Sequence, residues 1–251
     1  MRYYWTIIRW AIRLHFLRWM RYRLDLLFWT LTIWLTIGIQ AIFLSVVYHA
    51  SGGAFFGYSG MQVVSFFGIA LFANALALSC SISLITHLSR AVWRGDFDFW
   101  LLQPPALFVR IMTEDLGYLY YLPQAVVGAG LMLYSLPAIQ WPLAFFVGFV
   151  AAVIEAGLVF LSGIPAIRWG KWDPYEGVWE YLQTARSIPI GHYASIMLWI
   201  ASFGVLQYSL ALLVLTNHFN ALLLVLIAII LWALDLSLLS FFVRSYRSAS
   251  S

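Results

Sequence analysis

Long apolar runs separated by short polar intervals dominate the pattern of this chain. Five runs, at 26–48, 63–85, 116–134, 142–164 and 221–243, are each about 20 residues long. A helix rising about 1.5 Å per residue needs about 20 residues to cross the hydrocarbon of a bilayer. The interval 168–220 admits two readings. Residues 196–215 are apolar enough to form a span alone. Alternatively, 177–188 is a short, more polar helix entering the membrane, 188–191 is its outer end, and 193–215 dips in and returns. Hydropathy favours the first reading, and both leave the last span running from outside to inside. The expectation is an all-α, polytopic membrane bundle of about six transmembrane helices.

The polar intervals set the orientation, because arginine and lysine accumulate on the cytoplasmic side. Residues 1–23 hold Arg2, Arg9, Arg13, Arg18, Arg21 and Arg23. Arg90, Arg94 and Arg110 follow the second run, Arg168 and Lys171 the fourth, and Arg244 and Arg247 the last. The intervals 50–60, 135–141 and 216–220 carry no lysine or arginine. Both termini are therefore expected in the cytoplasm. In 1–23, Arg2, Arg9 and Arg13 share a helical stripe opposite Tyr4, Ile7, Ala11 and Leu14, while Trp5, Trp10 and Trp19 suit the headgroup level. This predicts an amphipathic helix lying in the interface and ending near Arg18, which breaks the apolar stripe. A plain basic anchor is the alternative. The remainder, 24–251, reads as one transmembrane domain.

Composition agrees with a membrane solvent. The 251 residues are 63% hydrophobic and 10% charged, with a mean hydropathy of +0.88, whereas a soluble domain carries roughly 25% charged residues. The net charge of +4 is gathered in membrane-flanking clusters and is no sign of a nucleic-acid partner. One cysteine, Cys80, lies inside an apolar run, so neither a disulfide framework nor a cysteine metal site is available. The first apolar run is too long for a secretory signal.

One polar interval is longer than a connection requires. Residues 90–110 read RAVWRGDFDFWLLQPPALFVR. Asp96 suits a helix N-cap, with Asp98 in the first turn where a carboxylate complements the helix dipole. Phe97, Trp100 and Leu101 fall at i, i+3 and i+4, giving one short apolar face. Gln103 precedes Pro104, which should end the helix. Such a knob fits a docking surface for a soluble partner; an anchor in the membrane interface is the competing reading.

The series Gly95, Asp96, Phe97, Asp98, Leu101, Leu102, Pro104 resembles the cytoplasmic loop of type-2 ABC exporter permeases, and of a branch with short six-span subunits, which typically reads Gly-Glu-Leu-Asp-x-x-Leu-Leu-Arg-Pro. Gln103 stands where that branch carries a basic residue. Arg186-Ser187-Ile188-Pro189-Ile190 is similar to its Arg-Tyr-Pro-Leu segment, and Arg247-Ser248-Ala249-Ser250-Ser251 to its serine-rich ends. The resemblance implies a multi-pass permease of the bacterial inner membrane, surrounded by lipid and paired with a second permease subunit, the same or different. Two copies of an ATP-binding subunit would dock on a coupling helix formed by Gly95, Asp96, Phe97, Asp98, Trp100, Leu101, Leu102 and Pro104. ATP and magnesium would belong to that subunit, leaving no cofactor and no catalysis in this chain. No GxxxxGK[ST] occurs; Gly170-Lys171 is followed by Trp172.

Polar residues inside the apolar runs are the remaining candidates. Glu155, near the middle of a run, costs roughly 2.5–3.5 kcal/mol at such a depth. It shares a face with Gly148, Ala152 and Ala156, and small residues at this spacing let a second helix approach. It is either a carboxyl hydrogen-bonded across a helix pair or an acid of the translocation pathway. Asn74 lies on a similar face with Ala73, Ala77 and Ser81, Gln40 and Gln124 suit bridges between helices, and Asp235 sits in the inner half of the last run. A secondary transporter using Glu155 and Asp235 as proton or ion sites is the alternative function, though no inverted repeat is evident. An intramembrane enzyme is a third, but no HExxH or nucleophile–base pattern is present.

Overall fold

The computed structural model describes residues 2–50, 59–83, 87–102, 107–113, 118–169, 211, 213–216 and 220–246. Among them every regular element is helical: α1 (Arg2–Arg21), α2 (Arg23–Ala50), α3 (Gly60–Ser83), α4 (Ser89–Arg94), α5 (Asp96–Leu102), α6 (Leu107–Thr113), α7 (Tyr118–Ser135), α8 (Trp141–Gly163), α9 (Ala166–Trp169) and α10 (Ala221–Arg244). Four of these, α2, α3, α8 and α10, are long and apolar enough to cross a membrane. The expectation of an all-helical membrane bundle is met. The interval 170–210, with both readings of the fifth span and the segment 186–190, lies outside the described residues, as do Gln103, Pro104 and the serine-rich end.

The expected third run forms α7, but it is not among the four. Tyr118, Tyr120, Tyr121 and Gln124 make its first turns polar. Its buried positions, Tyr121, Gln124, Gly128 and Met132, follow the helical period, and that face lies along α3.

The approach of α3 and α7 is backbone to backbone. A Cβ at Gly128 would stand 2.5 Å from the Phe72 nitrogen and 2.8 Å from the Gly68 oxygen, and one at Gly68 would stand 3.0 Å from the Gly128 oxygen. Only glycine permits that contact. On its other side α3 meets α8, where Gly148 faces the Phe72 ring, with 3.1 Å from an added Cβ to Phe72 Cδ1. Both small-residue faces read from the sequence are buried here: Ala73, Ala77 and Ser81 on α3, Gly148, Ala152 and Ala156 on α8. The main core follows, with Phe66, Ile69 and Ala73 of α3, Val147, Val150 and Ala151 of α8, and Leu224 and Ala228 of α10. The outer helices α2 and α10 keep most of their apolar surface exposed, 18% and 22% of their most apolar windows being buried, as lipid-facing helices require.

The N-terminal helix departs from expectation in two ways. It runs past Arg18 to Arg21 and is divided from α2 by Tyr22 alone. Its inward face carries His15 and Trp19, both buried, whereas Leu14 of the expected apolar stripe is exposed. Trp5 and Trp10 are exposed, but Trp19 is buried and packs edge-on against Tyr120 of α7, which also meets Trp29 of α2 at 5.4 Å. The helical period gives the width of an apolar stripe, but the neighbours decide which part of it is covered.

Candidate functional site

The polar interval 90–110 folds as an elbow of three short helices. α4 ends where Gly95 takes φ +81°, with its N–H donated to the Val92 carbonyl. That left-handed conformation is cheap only for glycine and reverses the chain into α5. Asp96, expected as the N-cap, lies inside α5, where it and Asp98 occupy the first turn. Helix-dipole complementarity holds for both carboxylates, but the boundary residue is the glycine.

α5 divides its aromatic residues between two environments. Phe97 is wholly buried and Trp100 nearly so, in a cluster with Leu88, Val92, Ile111, Phe160, Ile164, Ile167 and Leu239. Phe99 (66%), Leu102 (82%) and, less so, Leu101 (39%) are exposed. Phe97 and Trp100 therefore do not share an outward knob with Leu101; they root the helix in the bundle. The Phe97 ring meets Tyr246, just beyond α10, edge-on at 5.0 Å, and the Arg110 guanidinium lies 5.9 Å from the centre of the Trp100 ring. Burial, and then the nearby Asp98 carboxylate, hold the Tyr246 phenol above its usual range.

The next helix carries the connection deeper. Phe108 of α6, Phe160 of α8 and Trp232 of α10 meet pairwise at 5.5–5.8 Å. The Trp232 indole also donates to the Val153 carbonyl at 3.0 Å. α5 is thus joined to α8 and α10 through close-packed side chains.

Higher in the bundle, three polar side chains from three helices form one buried chain of hydrogen bonds. Gln124 of α7 donates through Nε2 to Asn74 Oδ1 at 2.8 Å and to the Leu71 carbonyl at 3.2 Å. Asn74 of α3 donates through Nδ2 to Glu155 Oε1 of α8 at 2.6 Å. All three side chains are over nine-tenths buried. The sequence placed Asn74 and Glu155 on small-residue faces and Gln124 among bridging groups; the structure brings them together. A cavity of ≈ 170 Å³ reaches Asn74 and Gln124 from α2, past Thr32, Thr36 and Gln40.

Asp235 has no such company. It is completely buried, and neither carboxylate oxygen has a hydrogen-bond partner among the described residues. Its Oδ2 would lie 3.2 Å from a Cβ added at Gly157 of α8. Sequence reasoning missed Gly157, although a glycine directly after Ala156, in a spanning helix already rich in small residues, signals close approach of a partner. Among the described residues no group of His, Cys, Asp and Glu could hold a metal ion.

No curated protein and no solved structure matches the chain. The family model described as ABC-2 family transporter protein matches residues 34–250. That stretch takes in most of α2, every later helix, the elbow and the buried polar chain. The chain belongs to the ABC-2 transporter family and is a transmembrane permease component of an ABC transporter.

Proposed function

We propose that this chain forms half of the translocation pathway of an ABC exporter and is driven by a separate ATP-binding subunit pressing on α5. The observation that carries the reading is the division of α5: Phe99, Leu101 and Leu102 face outward, while Phe97 and Trp100 are packed into the ends of α8, α9 and α10. A surface of this kind accepts a partner on one side and passes its displacement to the spans on the other. Two copies of the ATP-binding subunit, carrying ATP and magnesium, would dock beneath two permease subunits. The exposed apolar faces of α2 and α10 serve lipid and the second permease. The clustering of Arg90, Arg94 and Arg110 supports a cytoplasmic elbow in the inner membrane of a bacterium.

The secondary-transporter alternative is less well supported. Glu155 is turned to α3 through Asn74, whereas Asp235 meets α8 at Gly157. The two acids do not face a common cavity among those lined by described residues.

The test is to charge the outward face. Phe99→Glu with Leu102→Glu, co-expressed with a P-loop protein encoded beside this chain, should leave insertion and folded yield unchanged while abolishing co-purification of that protein. Trp100→Glu should lower the folded yield instead, because it places a charge in the core. Undiminished co-purification with the Phe99/Leu102 variant would overturn the reading.

A further inference from the structure

We propose that the hollow between α4 and α5 binds the phosphate headgroup of an anionic lipid in the cytoplasmic leaflet. The proposal rests on the cytoplasmic placement of the elbow given above. His87, Arg90 and Arg94 follow one another at i, i+3 and i+7, so a helical backbone aligns them on one face. Beyond the Gly95 turn α5 lies beside that face, and the two helices line an open hollow of ≈ 400 Å³. Phe99 and Trp100 wall it, and Asp96 is the one acid among its described lining residues. Arg90 and Arg94 are exposed. Two guanidinium forks one turn apart suit the oxygens of a phosphate, which accept paired N–H donors.

The position selects a lipid over a protein carboxylate. α4 begins six residues beyond Ser83, the inner end of a spanning helix, which keeps the hollow near the headgroup layer. Trp93 is 62% exposed beside it, and an aromatic side chain of this kind settles at the membrane–water boundary. The surface proposed for the ATP-binding subunit starts at Phe99, on the rim of the hollow, and runs away from it to Leu102 at the end of α5. Anionic headgroups of the inner leaflet attract basic pockets on this side of a membrane.

The experiment titrates phosphatidylglycerol into the purified chain in neutral-lipid nanodiscs and reads retained lipid by native mass spectrometry. Arg90→Gln with Arg94→Gln should weaken retention about thirty-fold, whereas Arg9→Gln with Arg13→Gln in α1 should change it little. If the double variant fails to accumulate, Arg94→Gln alone carries the test. Equal retention in wild type and variant would overturn the proposal. So would displacement of the lipid by millimolar inorganic phosphate, which would mark a free-phosphate site. So would unchanged lipid binding with lost co-purification of the ATP-binding subunit, which would assign the arginines to that partner. Labelling a cysteine placed at Arg94 from either side of the membrane separates the two readings. Outside labelling sinks both; inside labelling with no lipid effect sinks this one alone.

Discussion

Among the described residues two carboxylic acids, Glu155 and Asp235, are buried in spanning helices, and their surroundings differ in kind. Glu155 closes a run of hydrogen bonds that joins α8 to α3 and α7. Asp235, no less buried, lies against Gly157 and receives no hydrogen bond among the described residues. Chemical type and burial are alike, so neither determines what an intramembrane acid does. A partnered acid holds helices together; an unpartnered one is a cost that the fold carries for some other reason.

That contrast can be broken by substitution, and the largest effect is expected at Asn74. Asn74→Ala removes the amide that holds Glu155 and the acceptor that serves Gln124. It should destabilise the protein by about 2–4 kcal/mol, seen as a lower thermal midpoint in detergent. Asp235→Leu should act in the opposite direction and stabilise by about 1–3 kcal/mol, since it deletes a desolvated group that no described residue serves. A loss of stability there would erase the difference between the two sites. Glu155→Gln keeps an acceptor oxygen toward Asn74 and should change stability by less than about 1 kcal/mol. A Gln variant that assembles normally yet fails to transport would move Glu155 into the pathway.

The smallest effect concerns Tyr246, just beyond the C-terminal end of the helix that carries Asp235. Its phenol is held above the ordinary value of 10.0 by burial first and Asp98 second. Above about pH 10 the unfolded chain gives up a proton that the folded state retains, so this contact loses stabilising power as pH rises. Tyr246→Phe should flatten the alkaline arm of a stability-against-pH profile and leave the neutral region nearly unchanged.

The spans were legible in the sequence because continuous apolarity is a local property. The helices observed at Gly60–Ser83, Trp141–Gly163 and Ala221–Arg244 agree with the expected runs to within about three residues. The burial of Ala73, Ala77, Ala152 and Ala156 was legible for the same reason. What stayed hidden were meetings between segments distant in sequence. Periodicity puts Asn74, Gln124 and Glu155 on faces, but it does not say that the three faces meet at one point. It also finds the apolar side of α5 without deciding whether that side is root or tip. Phe97 and Trp100 are rooted because α8, α9 and α10 supply a pocket for them, and the residues that line it there, from Phe160 onward, lie at least 60 positions from Trp100 along the chain.

The seam between Gly68 and Gly128 has a consequence for movement. Main chain rests on main chain there, so no lever of intermediate length can tilt, shorten or repack to let one helix slip past the other. α3 and α7 must travel as a single plank. α8 and α10 meet differently, through the Leu231 side chain laid over Gly157, and a side chain can repack where two backbones cannot.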